Sequence, residues 1–363
     1  MLRIALLGYG TVGQSVAALT ADGCRGIELR HILRRSGKAA APLMTDSPDE
    51  IFSDPDVDVV VDVLPGENPS YDYIRRALLA NKHVVTANKA ALAPHYAELT
   101  ALARENGCAL LYEASAGGGI PWIENLRQAA KVDRITAMSG ILNGTVNYII
   151  DRMERFEADF ETALSEAQAL GYAEADPAAD LSGDDTANKA VISAATALHA
   201  AVSPNFPVAG IDGLTRDFLE LLHRDGLTLR LMMLFCRSEH RYALGVAPVL
   251  LSEHAMEAAV RENFNCTSLT GDVVGTLKFY GQGAGGRPTA DAILQDLVRL
   301  RDGRAEPPSA PAPAPAAETP LYDASLLTGT AFFADGTRCF GTLERLTQDA
   351  RKRNCFMAFQ PQE

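Results

Sequence analysis

The run Gly8-Tyr9-Gly10-Thr11-Val12-Gly13, set directly after the apolar segment LRIALL at 2–7, constrains the fold of this chain more than any other feature. A G-x-G-x-x-G turn between a strand and a helix has a physical purpose at each glycine. The first permits a tight strand-to-helix turn, the second lets backbone approach a pyrophosphate, and the third lets the helix pack closely on the strand. The next helix, expected from Gln14 to Thr20, offers its N-terminal N–H groups and partial positive charge to the same phosphates. Gly8, Tyr9, Gly10, Thr11, Val12 and Gly13 are therefore expected to bind a dinucleotide. The plain alternative is a glycine turn that serves packing only.

The residues beyond the turn support the first reading. Strands are predicted at Ile27 to Leu33, Val57 to Leu64, His83 to Thr86 and Cys108 to Tyr112, with helices at Tyr71 to Asn81 and Leu92 to Asn106 between them. The third strand is an almost unbroken β-branched run, as in parallel strands buried on both faces. Strand and helix alternate, so the fold class is α/β, with an N-terminal Rossmann-like parallel sheet. A chain of 363 residues exceeds what one core usually serves, about 250–300. The rhythm changes near residue 130. Strands are expected at Arg134 to Ile141, Tyr242 to Val249, Asn265 to Leu269 and Thr276 to Tyr280. Helices are expected at Thr145 to Glu154, Phe160 to Leu170, Thr186 to Ala200 and Thr289 to Arg301. This is a second, α+β domain with antiparallel strands. The expected division is 1–130, 131–303 with its last helix packing back on the first domain, a Pro/Ala linker at 304–320, and a C-terminal tail at 321–363. The tail is predicted to form a hairpin around Asp335-Gly336 and a short helix, and to be dispensable for chemistry.

Composition excludes several classes of function. The net charge of −13 argues against nucleic acid or an anionic membrane as the main partner. No apolar run reaches the roughly 18 residues of a spanning helix. The first apolar segment is too short for a signal peptide and enters a glycine turn at once. A cytoplasmic location is expected. The six cysteines are scattered without a CxxC or a His/Cys cluster, which suits reduced thiols better than a zinc site.

Chemistry is expected where strands end. The second strand closes on Leu33-Arg34-Arg35, with Lys38 nearby, where NAD enzymes usually carry an acid for the ribose hydroxyl. A guanidinium pairs with a 2′-phosphate, which favours NADP over NAD, the alternative being a solvated basic loop. Lys89, in Thr86-Ala87-Asn88-Lys89 after the fourth strand, sits where open parallel sheets bind ligands. Glu113 to Pro121, with three consecutive glycines, is either a backbone cradle for a ligand or ion, a hinge, or both. Further on, Gly171-Tyr172-Ala173-Glu174-Ala175-Asp176-Pro177 leads to Asp185 and Lys189, one helical turn apart. A structural salt bridge explains such a pair in most proteins. Beside a dense acidic loop, Glu174 and Asp185 also suit a substrate ammonium group, and Lys189 a general acid.

Taken together, GYGTVG, TANK, EASAGGGIP, GILNGTVNYI, GYAEADPAADLSGDDTANK and YGQGAGGRPTADAILQDL resemble homoserine dehydrogenases, in the family's order from residue 1 to about residue 302. The resemblance implies reversible, NAD(P)-dependent interconversion of L-homoserine and L-aspartate 4-semialdehyde in threonine, methionine and isoleucine biosynthesis, carried out by a homodimer. It implies that Lys189 gives a proton to the aldehyde oxygen as hydride arrives from NADPH. It implies that Glu174 and Asp185 hold the amino-acid substrate and that Lys89 lies between cofactor and substrate. Leu64 and Gly285 join the cofactor-binding set. Backbone carbonyls of Glu113, Ala116, Gly118 and Ile120 would bind sodium. Ala116 stands where a valine is common, a change that a carbonyl ligand tolerates. The segment Glu262 to Cys266 differs from the family's more usual Asn-Ala core. No regulatory ACT-type domain fits in the tail, so feedback control by threonine through one is not expected.

Two other readings compete. A cofactor-sensing regulatory protein on the same fold is disfavoured by the presence of Lys89, Glu174, Asp185 and Lys189. A two-domain dehydrogenase for another substrate commonly carries Glu-Lys-Pro after the fourth strand, where this chain has Ala-Asn-Lys-Ala.

Overall fold

The computed structural model describes residues 1–21, 25–34, 43–305 and 320–362. They form two compact units, Met1–Glu124 with the segment that starts at Ala284, and Asn125–Gly283 with the C-terminal segment. Arg35 and Lys38, the thiol of Cys24 and most of the expected linker lie outside the described residues.

In the first unit, apolar runs become strands and the helices between them cover the faces. The order is β1 (Leu2–Leu7), α1 (Thr11–Thr20), β2 (Ile27–Leu33), β3 (Met44–Thr45), α2 (Pro48–Ser53), β4 (Val59–Asp62), α3 (Ser70–Leu79), β5 (His83–Thr86), α4 (Lys89–Leu92), α5 (Tyr96–Glu105) and β6 (Leu110–Leu111). The strands pair in parallel in the order β3-β2-β1-β4-β5-β6. The order reverses direction at β1, which creates the crevice where such sheets bind ligands. Val59, Val60 and Val61 are fully buried, as a strand covered on both faces requires.

The second unit is built on a mixed sheet. Its elements begin with α6 (Trp122–Ala129), which starts at the end of the first unit, and continue with β7 (Ile135–Ile141), α7 (Gly144–Phe156), α8 (Phe160–Ala169), α9 (Ala178–Leu181), α10 (Asp184–Leu198), α11 (Arg216–Arg224), β8 (Leu227–Ser238), β9 (Arg241–Ser252), β10 (Phe264–Gly271) and β11 (Gly275–Gln282). The chain then supplies α12 (Gly286–Arg301) to the first unit. There Ala290, Ile293, Leu294 and Leu297 enter the same core as Ile4, Leu6 and Val16. The C-terminal elements are β12 (Leu321–Tyr322), β13 (Thr328–Phe333), β14 (Arg338–Thr342), α13 (Leu343–Arg353) and β15 (Met357–Pro361).

The main path of that sheet is β11-β10-β7-β8-β9-β15-β13-β14, with β12 also pairing β9. The strands from β11 to β9 are antiparallel, as expected, but β15 and β12 run parallel to β9. The predicted hairpin around Asp335-Gly336 is β13–β14. The expectation that the tail is dispensable does not fit this arrangement. Phe333, Leu343, Leu346 and Phe359 are buried in one core with Met232, Ala247 and Val249 of β8 and β9. The Pro/Ala composition before the tail concealed this, because a linker signal says nothing about where the next strand pairs.

One buried charge cluster braces the second unit. Arg230, fully buried in β8, donates to Glu154 of α7 at 2.7 Å and to the carbonyl of Ala258 at 2.9 Å. Burial would raise the Glu154 carboxyl, but the hydrogen bond from His223 and the charge of Arg230 outweigh it and bring it down to about 2. No described helix is long and apolar enough to cross a membrane.

Candidate functional site

The glycine turn has the geometry of a phosphate cradle. Gly8 has φ +105°, a conformation that L side chains rarely adopt. A Cβ on Gly13 would lie 2.3 Å from the Gly8 carbonyl oxygen, so α1 packs against the turn at a distance only glycine allows. A Cβ on Gly10 would meet nothing within 4 Å. The backbone there faces open space at the start of α1, whose N-terminus has no side-chain cap. A pyrophosphate fits this arrangement: a helix start with no capping side chain, and room for backbone approach.

The rim of the same crevice is organised by a buried carboxyl that the sequence did not single out. Asp62, at the end of β4, is fully buried and accepts hydrogen bonds from Ser70 Oγ at 2.5 Å, Thr86 Oγ1 at 2.9 Å and the Leu64 N–H at 3.2 Å. Burial pushes it up to about 6 against those three hydrogen bonds. Thr86 Oγ1 in turn accepts the Asn88 N–H at 2.9 Å. The Asn88 amide donates to the Leu64 and Gly66 carbonyls at 2.9 and 2.6 Å, and its oxygen caps α4 through the Ala91 N–H at 3.1 Å. The chain Asp62–Thr86–Asn88 thus ties Leu64 to the first residue of α4, Lys89, which is half-buried. Arg34 follows β2 directly, its N–H held by the Thr45 carbonyl at 3.0 Å. Gly285, φ +120°, caps α12, and Gly286 lies against Thr11 and Ser15 at the start of α1.

The Glu113 loop is buried and braced by hydrogen bonds. Glu113 is 2% exposed, and its carboxylate accepts the N–H groups of Ile123 at 2.9 Å and Glu124 at 2.7 Å, at the start of α6. Its own N–H donates to Asp296 at 2.9 Å. The Glu113 carbonyl accepts from Ala116 N–H at 3.5 Å, and the Ile120 carbonyl accepts from Trp122 N–H at 2.7 Å. Among the described residues no group of three or more His, Cys, Asp or Glu is placed to hold a metal.

In the second unit the structure brings Asp185 and Lys189 together. Their spacing on α10 puts them on one helical face, and Lys189 Nζ donates to Asp185 Oδ2 at 2.6 Å and to the Leu142 carbonyl at 2.7 Å. Both side chains are nearly enclosed, 12% and 8% exposed. An ion pair sheltered from water is screened far less than a surface one. Glu174 stands apart from this pair by hydrogen bonding. It is exposed on its loop, where its carbonyl accepts from Gln168 Nε2 at 3.2 Å. Asn143 and Asp180, to which the sequence assigned no role, belong to the cluster. Asn143 Nδ2 donates to Asp180 Oδ1 at 2.7 Å and to Asp185 Oδ2 at 2.9 Å. The available signal was local: an Asn directly before a helical run is a preferred cap.

Such a cluster can do acid–base work. It holds an ammonium at an enclosed position, beside a carboxylate and within a hydrogen-bond network that fixes its direction.

The chain is similar to known proteins along most of its length. The family model described as homoserine dehydrogenase matches residues 121–298, and the model described as the homoserine dehydrogenase NAD-binding domain matches residues 8–113. A homoserine dehydrogenase of Bacillus subtilis is 38% identical over 315 residues, covering 82% of this chain and 72% of the relative. One from Corynebacterium glutamicum is 37% identical over 339 residues, covering 88% and 76%. The crystal structure of a homoserine dehydrogenase from Thiobacillus denitrificans superposes with a TM-score of 0.87 at 29% identity, covering 99% of this chain and 98% of that one.

Proposed function

Since this chain belongs to the homoserine dehydrogenase family, we propose that it interconverts L-homoserine and L-aspartate 4-semialdehyde with NADP as its preferred cofactor and Lys189 as its proton donor. The observation that carries the proton-transfer reading is the enclosed Lys189–Asp185 pair at 2.6 Å. A bound nicotinamide cofactor would supply hydride chemistry, giving hydride to the aldehyde in reduction and accepting it in oxidation.

The residues divide the remaining work. As the aldehyde carbon gains hydride, its oxygen gains negative charge. The Lys189 ammonium stabilises that charge and gives the oxygen a proton, which completes the hydroxyl of homoserine. In oxidation the neutral amine takes the hydroxyl proton back. Asp185 and Glu174 attract the ammonium of the substrate, and Lys89 belongs to the cofactor-binding set. Gly8 to Gly13, with Leu64 and Gly285, hold the dinucleotide. The carbonyls of Glu113, Ala116, Gly118 and Ile120 bind sodium in this reading. A carbonyl oxygen that already accepts one N–H keeps a second lone pair for an ion. Assembly as a homodimer is supported by the exposed apolar side chains of Val273, Val274, Leu277 and Tyr280 along the edge strand β11 and its turn. A cytoplasmic setting is supported by the five described cysteines, all free thiols.

Cofactor choice tests the first part of the reading. Arg34 and Arg35 stand where an acid would select NAD. The wild-type protein is expected to bind NADP more tightly than NAD. Arg34→Ala is expected to weaken NADP about 10- to 100-fold, the value of one or two hydrogen bonds to a charged group, and to leave NAD nearly unchanged. Dissociation constants for both cofactors on both proteins decide it. A wild-type preference for NAD, or equal losses for the two cofactors, contradicts it.

A further inference from the structure

The side-chain amide of Asn143 has one acceptor and two donor hydrogens, and the structure uses all three. Its oxygen accepts the Val146 N–H at 2.8 Å and so caps α7. Its nitrogen donates to Asp180 Oδ1 at 2.7 Å and Asp185 Oδ2 at 2.9 Å. Reversing the amide would set its oxygen against two carboxylates, so only one orientation is compatible with the surroundings. The residue is 3% exposed. Asp185 Oδ2 receives Lys189 as well, and the other hydrogen bond of Lys189 goes to the carbonyl of Leu142, the residue just before Asn143. The two-residue segment Leu142–Asn143 therefore grips both members of the Asp185–Lys189 pair.

We propose that Asn143 is a positioning residue for proton transfer, acting through Asp185. The inference rests on Lys189 being the proton donor. Helix capping alone does not require an asparagine here, since serine and aspartate cap as well. What asparagine adds is a neutral donor to two carboxylates at once. It satisfies Asp180 and Asp185 without bringing a cation that would compete with Lys189 for Asp185. A carboxylate at the same position would repel both. With Asp185 held from one side by the amide, its oxygen cannot swing away from α10, and the Lys189 ammonium keeps one direction.

Asn143→Ser and Asn143→Thr separate this role from capping, because each keeps a cap acceptor and each lacks the amide donor. Asn143→Ser is expected to melt near the wild type and to bind cofactor with unchanged affinity. Its kcat for homoserine oxidation is expected to fall about tenfold or more, the usual worth of hydrogen bonds to a charged group. In an Asp185→Asn background the same substitution should cost less than about twofold, because the residue it acts through is already gone. A folded Asn143→Ser enzyme with wild-type kcat and KM overturns the proposal, as does an undiminished loss in the Asp185→Asn background. Should Asn143→Ser not fold, Asn143→Thr is read by the same two ratios. A wild-type-like Asn143→Ser beside an inactive Lys189→Ala overturns the positioning role alone. An active Lys189→Ala overturns the reading beneath it.

Discussion

Lys189→Ala is expected to lower kcat by about 10²–10⁴-fold, the usual cost of losing a general acid. Under the proposed mechanism the substitution removes the proton donor and the positive charge beside the developing alkoxide together. Cofactor affinity should change little, because the proposed dinucleotide site is the Gly8–Gly13 turn in the other unit. Lys189→Arg should recover little of the loss, since a guanidinium does not give up its proton near neutral pH. The competing explanation is that the 2.6 Å contact with Asp185 is a structural ion pair only. That explanation predicts a lower melting temperature and near-normal turnover in the molecules that remain folded. Measuring melting temperature, cofactor binding and kcat on one preparation separates the two. A folded Lys189→Ala protein with wild-type kcat ends the catalytic assignment.

Truncation after Arg304 is expected to unfold the second unit. The deleted segment contributes Phe333, Leu343, Leu346, Met357 and Phe359 to a core shared with Met232, Ala247 and Val249. It also supplies β15, which covers the edge of β9. Removing a single buried Leu or Phe side chain typically costs about 2–5 kcal/mol. Removing five costs about 10–25 kcal/mol on that scale, as much as or more than the roughly 5–15 kcal/mol that holds a domain together. The bared strand β9 would then present unpaired N–H and carbonyl groups, a template for aggregation. Solubility and thermal unfolding of the truncated protein report the outcome. A soluble truncated chain with a sharp melt and full turnover would mean that the tail strands are ornaments on an independent core.

The first unit was largely legible in the sequence because its signals are local. Val59, Val60 and Val61 announce a strand buried on both faces, and the glycine turn announces the helix after β1. The Asp185–Lys189 pair was legible for the same reason, since a four-residue spacing on a helix is enough to bring two side chains together. Strand β8 was not. Its LTLRLMMLFCRS is rich in Leu and Met, which are good helix formers, and it carries an arginine at a position that turns out fully buried. The Glu154 carboxylate on α7, 76 residues away, and the Ala258 carbonyl make that burial tolerable. Asp62 and Asn143 escaped notice because their roles depend on partners brought in by other elements. The exposure of Glu174 on its loop was not legible either, because a place in an acidic stretch of sequence does not say which way a side chain faces. The core that the tail shares with β8 and β9 was not legible, because a proline-rich stretch marks a break in the chain, not a break in the core.

The most direct test is turnover by the purified wild-type protein. L-Homoserine is supplied with NADP or NAD, and absorbance of the reduced nicotinamide is followed at about 340 nm, where hydride transfer to these cofactors is read. Homoserine-dependent reduction is expected with both, faster at low cofactor concentration with NADP, and absent when homoserine is withheld. No reduction with either cofactor, from a folded protein that binds NADP, would instead favour a cofactor sensor on the dehydrogenase fold.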